Sequence, residues 1–157
     1  ILPEPQSLLT KTAKMPGLDG EKMSKSYNNF ISLREAPASV EEKVRTMQTD
    51  PARVRLTDPG DPSNCPVFAL HEVYSDDAVR DWATQGCQTA GIGCVDCKKP
   101  LIDAINAEQS IYRQRAAQFE EDPDLVNAIL QEGSEKARTI ARETMEDVKD
   151  AVGILHR

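Results

Sequence analysis

The sequence predicts a mainly α-helical protein, a helical bundle preceded by about 35 residues of loop and linker. Three observations support this. Apolar residues from Val40 onward recur at the three- and four-residue spacing of a buried helix face. Capping residues stand ahead of these stretches. Before Asn29, Pro3, Pro5, Pro16, Gly17 and Gly20 leave no room for a long helix.

Taken in order, Gln6–Leu9 could form one helical turn and Phe30–Leu33 a short extended segment. Ser39-Val40-Glu41-Glu42 has the form of a capping box, and Val40, Val44 and Met47 share one face of the helix it would start, which should stop before Asp50-Pro51. Two turn-rich clusters, Thr49-Asp50-Pro51 and Thr57 to Pro62, enclose a loop with Arg53 and Arg55; a long loop inside a compact domain is usually functional. Asn64 then caps a short helix that turns Val67, Leu70 and either Val73 or Tyr74 inward. Ser75 caps another with Val79 and Trp82, ending at Gly86. Cys94 to Glu120 reads as one long helix with an imperfect stripe of Leu101, Ile105, Ile111 or Tyr112, Ala116 and Phe119. Asp122-Pro123 is an N-cap followed by proline at the first helical position. The helix it opens should end near Gly133, and a last one should bury Ala137, Ile140, Ala141, Met145, Val148 and Val152.

A chain of 157 residues is long enough for one domain with a real core, folded chains of this size burying about two-thirds of their surface. No apolar run approaches the ~18 residues of a membrane span. No charged-then-apolar leader opens the chain, so a cytoplasmic protein with reduced thiols is expected. The net charge of −7 argues against sequence-blind nucleic-acid binding, although a local basic surface remains compatible with an RNA partner.

The most informative string is Lys22-Met23-Ser24-Lys25-Ser26. Two lysines three apart, interleaved with small hydroxyls and led in by Gly17 and Gly20, suit a mobile loop that closes on phosphates. The lysines offer compact positive charge, and the hydroxyls and backbone N–H groups offer hydrogen bonds to charge developing on phosphate oxygens.

The second constellation is sulfur. Cys65, Cys87, Cys94 and Cys97 are the only cysteines, the last three spaced Cys-x6-Cys-x2-Cys. Four thiolates are the ligand set of a tetrahedral zinc or a four-iron cluster. Zinc sites usually show two close pairs, whereas one close pair and two singles favour a [4Fe-4S] cluster with zinc as the alternative. Gly86, Gly91 and Gly93 are candidates for close backbone approach to cluster sulfurs. His71 reads as a partner of a carboxylate or carbonyl, and Trp82 as packing.

In the setting Pro16-Gly17-Leu18-Asp19-Gly20 before it and Asn28-Asn29 after it, the lysine string resembles the second signature of the class I aminoacyl-tRNA synthetases, known as KMSKS. The context resembles the tryptophanyl-tRNA synthetase family, as does the run Gly133-Ser134-Glu135-Lys136-Ala137-Arg138. The resemblance implies that residues 1–35 are the KMSKS loop and linker of a catalytic domain, and 36–157 an α-helical anticodon-binding domain. The Rossmann-like catalytic domain, with its histidine-containing signature, would be absent from this chain, and the fragment alone inactive. Lys22 and Lys25 would be catalytic, and Lys22, Met23, Ser24, Lys25 and Ser26 would bind ATP with its Mg²⁺. The substrates would be L-tryptophan and its tRNA, and the whole enzyme a homodimer. A subset of that family carries a four-cysteine [4Fe-4S] site like the one formed here by Cys65, Cys87, Cys94 and Cys97. Arg53, Arg55, Lys98 and Lys99 are the candidates for tRNA contact. The alternatives are a non-catalytic metal-cluster RNA-binding module and a tyrosyl-tRNA synthetase.

Overall fold

The computed structural model describes residues 2–10 and 12–154. Five helices run in chain order: α1 Pro37–Thr46, α2 Pro66–Tyr74, α3 Asp77–Gln88, α4 Cys94–Glu121 and α5 Pro123–Ala151. Single 3-10 turns lie at Lys25–Tyr27 and Pro62–Asn64. No β-strand forms among the described residues; one isolated bridge joins Pro16 and Lys22. The chain divides into two compact units, Leu9–Arg113 and a second made of Ile1–Leu8 with Gln114–Arg157.

In the larger unit, most of the core forms where the sequence periodicity placed it, but Ile111 and Tyr112, assigned to the stripe of α4, are exposed. Val40, Val44 and Met47 of α1, with its C-cap, meet Val67 and Leu70 of α2 and Leu101, Ile102 and Ile105 of α4, all nearly inaccessible. Burying side chains of this size stabilises by about 1.5–3 kcal/mol each. Met15, Leu18 and Ile31 pack against the same cluster, so the segment that carries the lysine string is seated on the helices rather than dangling from them.

Several boundaries differ from expectation. Ser39 does not cap α1; the helix starts at Pro37, behind Ala36. The reciprocal pairing occurs seven residues earlier than the predicted box (Ser32 for Ser39, Glu35 for Glu42): the Ser32 N–H donates to Glu35 Oε2 and the Glu35 N–H to Ser32 O. Ser39 Oγ instead donates to Glu35 Oε1, and Lys43 closes an ion pair with the same carboxylate at 2.7 Å. No helical turn forms at Gln6–Leu9 and no strand at Phe30–Leu33. Cys65 and Asp76, not Asn64 and Ser75, occupy the N-cap positions of α2 and α3, and Asp76 accepts the Val79 N–H at 2.9 Å. α3 runs two residues past Gly86, whose missing side chain admits Ile92: a Cβ there would lie 2.7 Å from it. Trp82 is 42% exposed, beside a groove it shares with Val79, Lys99 and Pro100, and Ala83 takes the buried position on α3.

In the smaller unit, Asp122 caps α5 as expected, accepting the Leu125 N–H at 3.0 Å. α5 does not break at Gly133. A Cβ at Gly133 would meet nothing within 4 Å, and a glycine in an exposed helix interior costs only about 1 kcal/mol. None of the described α5 residues is buried; of the apolar positions assigned there, Ile140, Met145 and Val152 are exposed and Val148 is half-buried.

Candidate functional site

Two places concentrate chemistry, and they are built in opposite ways. The first is the lysine loop. Its backbone is folded by Gly17 N–H to Glu21 O at 2.6 Å, Gly20 N–H to Gly17 O at 3.0 Å and Met23 N–H to Met15 O at 2.9 Å. Gly20 has φ +85°, a conformation that favours glycine. Asn29, 4% exposed, lies at the centre. Its Oδ1 accepts the Ser24 N–H at 2.7 Å, and its Nδ2 donates to Asp19 Oδ1 at 2.8 Å and Lys22 O at 3.2 Å. A Cβ on Gly17 would come within 2.4 Å of the Asn29 amide, so that glycine exists to admit it. The bond from Asn29 holds the Asp19 carboxyl below its ordinary value. The expectation of a loose loop therefore needs correction: the backbone is tied while Lys22, Lys25 and Ser26 stand exposed. Met23 and Ser24 are half-buried. This arrangement presents two ammonium groups on a fixed frame, as binding of a polyanion requires.

A second tie anchors the loop to the helices: Gln48 N–H, just beyond α1, donates to Leu18 O at 2.9 Å, and Leu18 N–H donates to Asn29 O at 2.9 Å.

The second place is the sulfur constellation. Cys65, Cys87, Cys94 and Cys97 are free, half-buried and within electrostatic range of one another. Burial pushes the Cys97 thiol up to about 12, and the charges Cys65, Cys87 and Cys94 would carry push it the same way. Cys87 is raised by burial, partly offset by Arg53. Cys94 and Cys97 come from the first turn of α4, Cys87 from the end of α3 and Cys65 from the start of α2. As they lie, no three His, Cys, Asp or Glu side chains among the described residues stand close enough to close on one metal ion. The close-approach glycine is Gly60, not Gly86, Gly91 or Gly93: a Cβ on Gly60 would lie 2.6 Å from Cys87 Sγ, and its N–H donates to Cys87 O at 3.0 Å. Asp50, itself buried, braces that loop by accepting Asp61 N–H at 2.8 Å and Ala52 N–H at 2.9 Å.

His71, fully buried, donates Nε2–H to Cys97 O at 3.1 Å and accepts from Ser75 Oγ–H at 2.7 Å. Burial lowers its pKa, against the opposing bond to Cys97 O. It is thus the partner of a carbonyl.

Two of the four residues proposed for tRNA contact are not on the surface. Lys98 is 4% exposed and donates Nζ–H to Arg45 O at 2.9 Å and Met47 O at 2.6 Å, closing the C-terminal end of α1. Arg53 is 9% exposed; its Nη2 donates to Ile92 O at 2.7 Å and Leu56 O at 3.1 Å, and its Nη1 to Cys94 Sγ at 3.8 Å. Both face inward beside the thiols. Arg55 is exposed, and Lys99 is exposed in an i,i+3 pair with Asp96 at 2.7 Å. Asn29 enters the sequence reading only as context for the lysine string, and Asp50 and Gly60 only as parts of the Asp50-Pro51 turn and the Asp-Pro-Gly-Asp-Pro string; the bracing role of each is not foreseen there.

A phosphate-type lysine loop seated on a small helical unit defines a class. The family described as tRNA synthetases class I (W and Y) matches residues 1–110. The chain belongs to that family. Among its relatives, the tryptophan–tRNA ligase of Ralstonia nicotianae is 56% identical over 99% of this chain and 39% of its own length. That of Thermotoga maritima is 42% identical over 99% of this chain and 48% of its own. The chain therefore spans less than half the length of these relatives. A crystal structure of tryptophanyl-tRNA synthetase from Campylobacter jejuni, complexed with ADP and tryptophan, aligns with TM-score 0.74 and 29% identity over 92% of this chain and 44% of its own. No helix among the described residues is long and apolar enough to cross a membrane.

Proposed function

We propose that this chain is part of a cytoplasmic tryptophan–tRNA ligase: residues 1–35 its phosphate loop and linker, 36–157 a helical domain that meets the tRNA. The observation that carries the reading is the Lys22–Ser26 loop, framed on Asn29 with both lysines exposed. The reaction joins the tryptophan carboxylate to the α-phosphate of ATP and expels pyrophosphate, after which the aminoacyl group passes to the tRNA 3′ end. Negative charge grows on the α-phosphoryl and pyrophosphate oxygens in the first step. Lys22 and Lys25 neutralise it, and Ser24 and Ser26 orient those oxygens by hydrogen bonds. Met23, half-buried, anchors the loop instead of touching nucleotide. ATP enters with Mg²⁺. The complete ligase should exchange pyrophosphate into ATP with tryptophan and not with tyrosine; exchange with tyrosine alone would move the chain to the other branch of its family.

The four cysteines suit a structural [4Fe-4S] cluster better than zinc. One zinc with bonds of about 2.3 Å needs sulfurs roughly 3.8 Å apart. The four thiols act on one another electrostatically, and no three of them close on a single ion. The missing side chain of Gly60 lets Cys87 Sγ pack against the loop backbone, and Arg53 Nε is a buried donor with no acceptor. Cys65, Cys87, Cys94 and Cys97 would hold the cluster, which when bound cross-links α2, α3 and α4. Anaerobic purification with iron, sulfide and zinc analysis tests this. For tRNA contact the exposed candidates are Arg55 and Lys99. Each removed phosphate contact should reduce the salt slope of tRNA binding by about one.

A further inference from the structure

We propose that Arg53 is a positioning residue of the four-thiol site, holding Cys94 through an N–H···S bond and serving as the counter-charge for an anionic group bound there. The proposal rests on the cluster reading above. A buried guanidinium normally faces a carboxylate, because an uncompensated buried charge is costly. Arg53 has no such partner among the described residues. Its acceptors are two neutral carbonyls, Leu56 O at 3.1 Å and Ile92 O at 2.7 Å, and Cys94 Sγ at 3.8 Å, and the guanidinium also bonds towards Cys87. Its Nε–H is buried and has no acceptor at all. Cys87 and Cys97 are among the ionisable groups that feel its charge.

Lys98, the other buried cation beside the thiols, differs. Its ammonium ends on Arg45 O and Met47 O, where the carbonyls closing α1 supply partial negative charge. Arg53 closes no helix end; the buried Asp50 also lies beside Gly60, and the remaining compensation comes from the sulfur side. Four thiolates around iron give a net negative unit, and hydrogen bonds to its sulfurs set its reduction potential. Gly60 makes the approach feasible, since a Cβ there would also lie 3.1 Å from Arg53 Cδ. Arg53 is thus held between the loop that carries it and the first turn of α4.

The test uses the full chain, prepared without oxygen, as wild type, Arg53→Met and Arg53→Lys. Iron content, helical circular dichroism and an electron paramagnetic resonance titration with dithionite are measured. Dithionite delivers one electron to the cluster, reducing iron with no bond made or broken. Arg53→Met should keep its helices and the cluster's visible band, with the reduced-to-oxidised ratio at fixed potential about tenfold lower, or about 59 mV for one electron. Arg53→Lys keeps the charge without the planar fork and should recover only part of that shift. Wild-type potential in Arg53→Met overturns the proposal. Where Arg53→Met fails to fold, wild-type potential in Arg53→Lys overturns it instead. A salt slope of tRNA binding that falls by about one in Arg53→Met at unchanged potential overturns it in favour of a phosphate contact. Wild-type protein free of iron overturns the cluster reading and this assignment together, an outcome distinct from iron present with an insensitive potential.

Discussion

The lysine loop and the thiol site use the same kinds of cation to opposite ends. In the loop, hydrogen bonds to Asn29 fix the backbone and Lys22 and Lys25 are left exposed. At the thiols, Arg53 and Lys98 are buried and their bonds turn inward. Exposed cations on a tied frame are available to a ligand that arrives and leaves. Buried cations beside sulfur stabilise something that stays. On the proposed reading, placement more than residue type separates a phosphate-handling site from a structural one.

The comparison breaks most visibly at Lys25. In the complete ligase, Lys25→Ala should reduce tryptophan-dependent pyrophosphate exchange about 100-fold or more, with the melting midpoint unchanged, as expected when a preorganised donor to developing charge is removed. Unchanged exchange would remove the loop's assigned role. The thiol side should respond in stability instead. Gly60→Ala drives a methyl into Cys87 Sγ, 2.6 Å away, and should cost about 1–3 kcal/mol in urea unfolding and release bound iron.

Asn29→Ala sharpens the claim that the frame matters. It leaves the Ser24 N–H and the Asp19 carboxylate without their partner and should raise the KM for ATP about tenfold, equivalent to about 1.4 kcal/mol. An unchanged KM would mean that the lysines need no frame.

The smallest effect belongs to the segment linking the two regions. Burial works against the Glu35 carboxylate, yet Lys43, Ser39 and the Ser32 N–H outweigh it and hold the group below the usual 4.5. Because the folded value is depressed, its stabilisation is fully present above about 4.5 and is lost as pH falls through the folded value. Glu35→Gln should remove about 1 kcal/mol near neutrality and flatten the decline in urea midpoint below pH 4.5.

Local signals were legible: Val40, Val44 and Met47 on one face, the span of α4, and Asp122-Pro123 opening α5. Each depends on neighbours three or four residues away, which periodicity and capping report. The KMSKS string was equally legible because it is contiguous. The burial of Arg53 depends on Ile92 and that of Lys98 on Met47, contacts across 39 and 51 positions that no window contains. Gly133 looked like a stop because glycine often ends helices, but with open space around it nothing forces the helix to end. Ser39 looked like a cap because Ser-x-x-Glu occurs at Ser39–Glu42, but the same pattern at Ser32–Glu35 makes the reciprocal pairing and Pro37 sets the start of α1.

The central claim is that the loop does the phosphate chemistry while the thiol region holds structure. One paired measurement addresses it most directly: tryptophan-dependent pyrophosphate exchange per folded molecule in Lys25→Ala and Gly60→Ala versions of the complete ligase, alongside their melting curves. Lys25→Ala should lose about 100-fold in exchange with its melting unchanged, and Gly60→Ala should melt lower while exchanging within a few-fold of wild type. Full exchange in Lys25→Ala, or a comparable collapse of exchange in well-folded Gly60→Ala, would contradict that division.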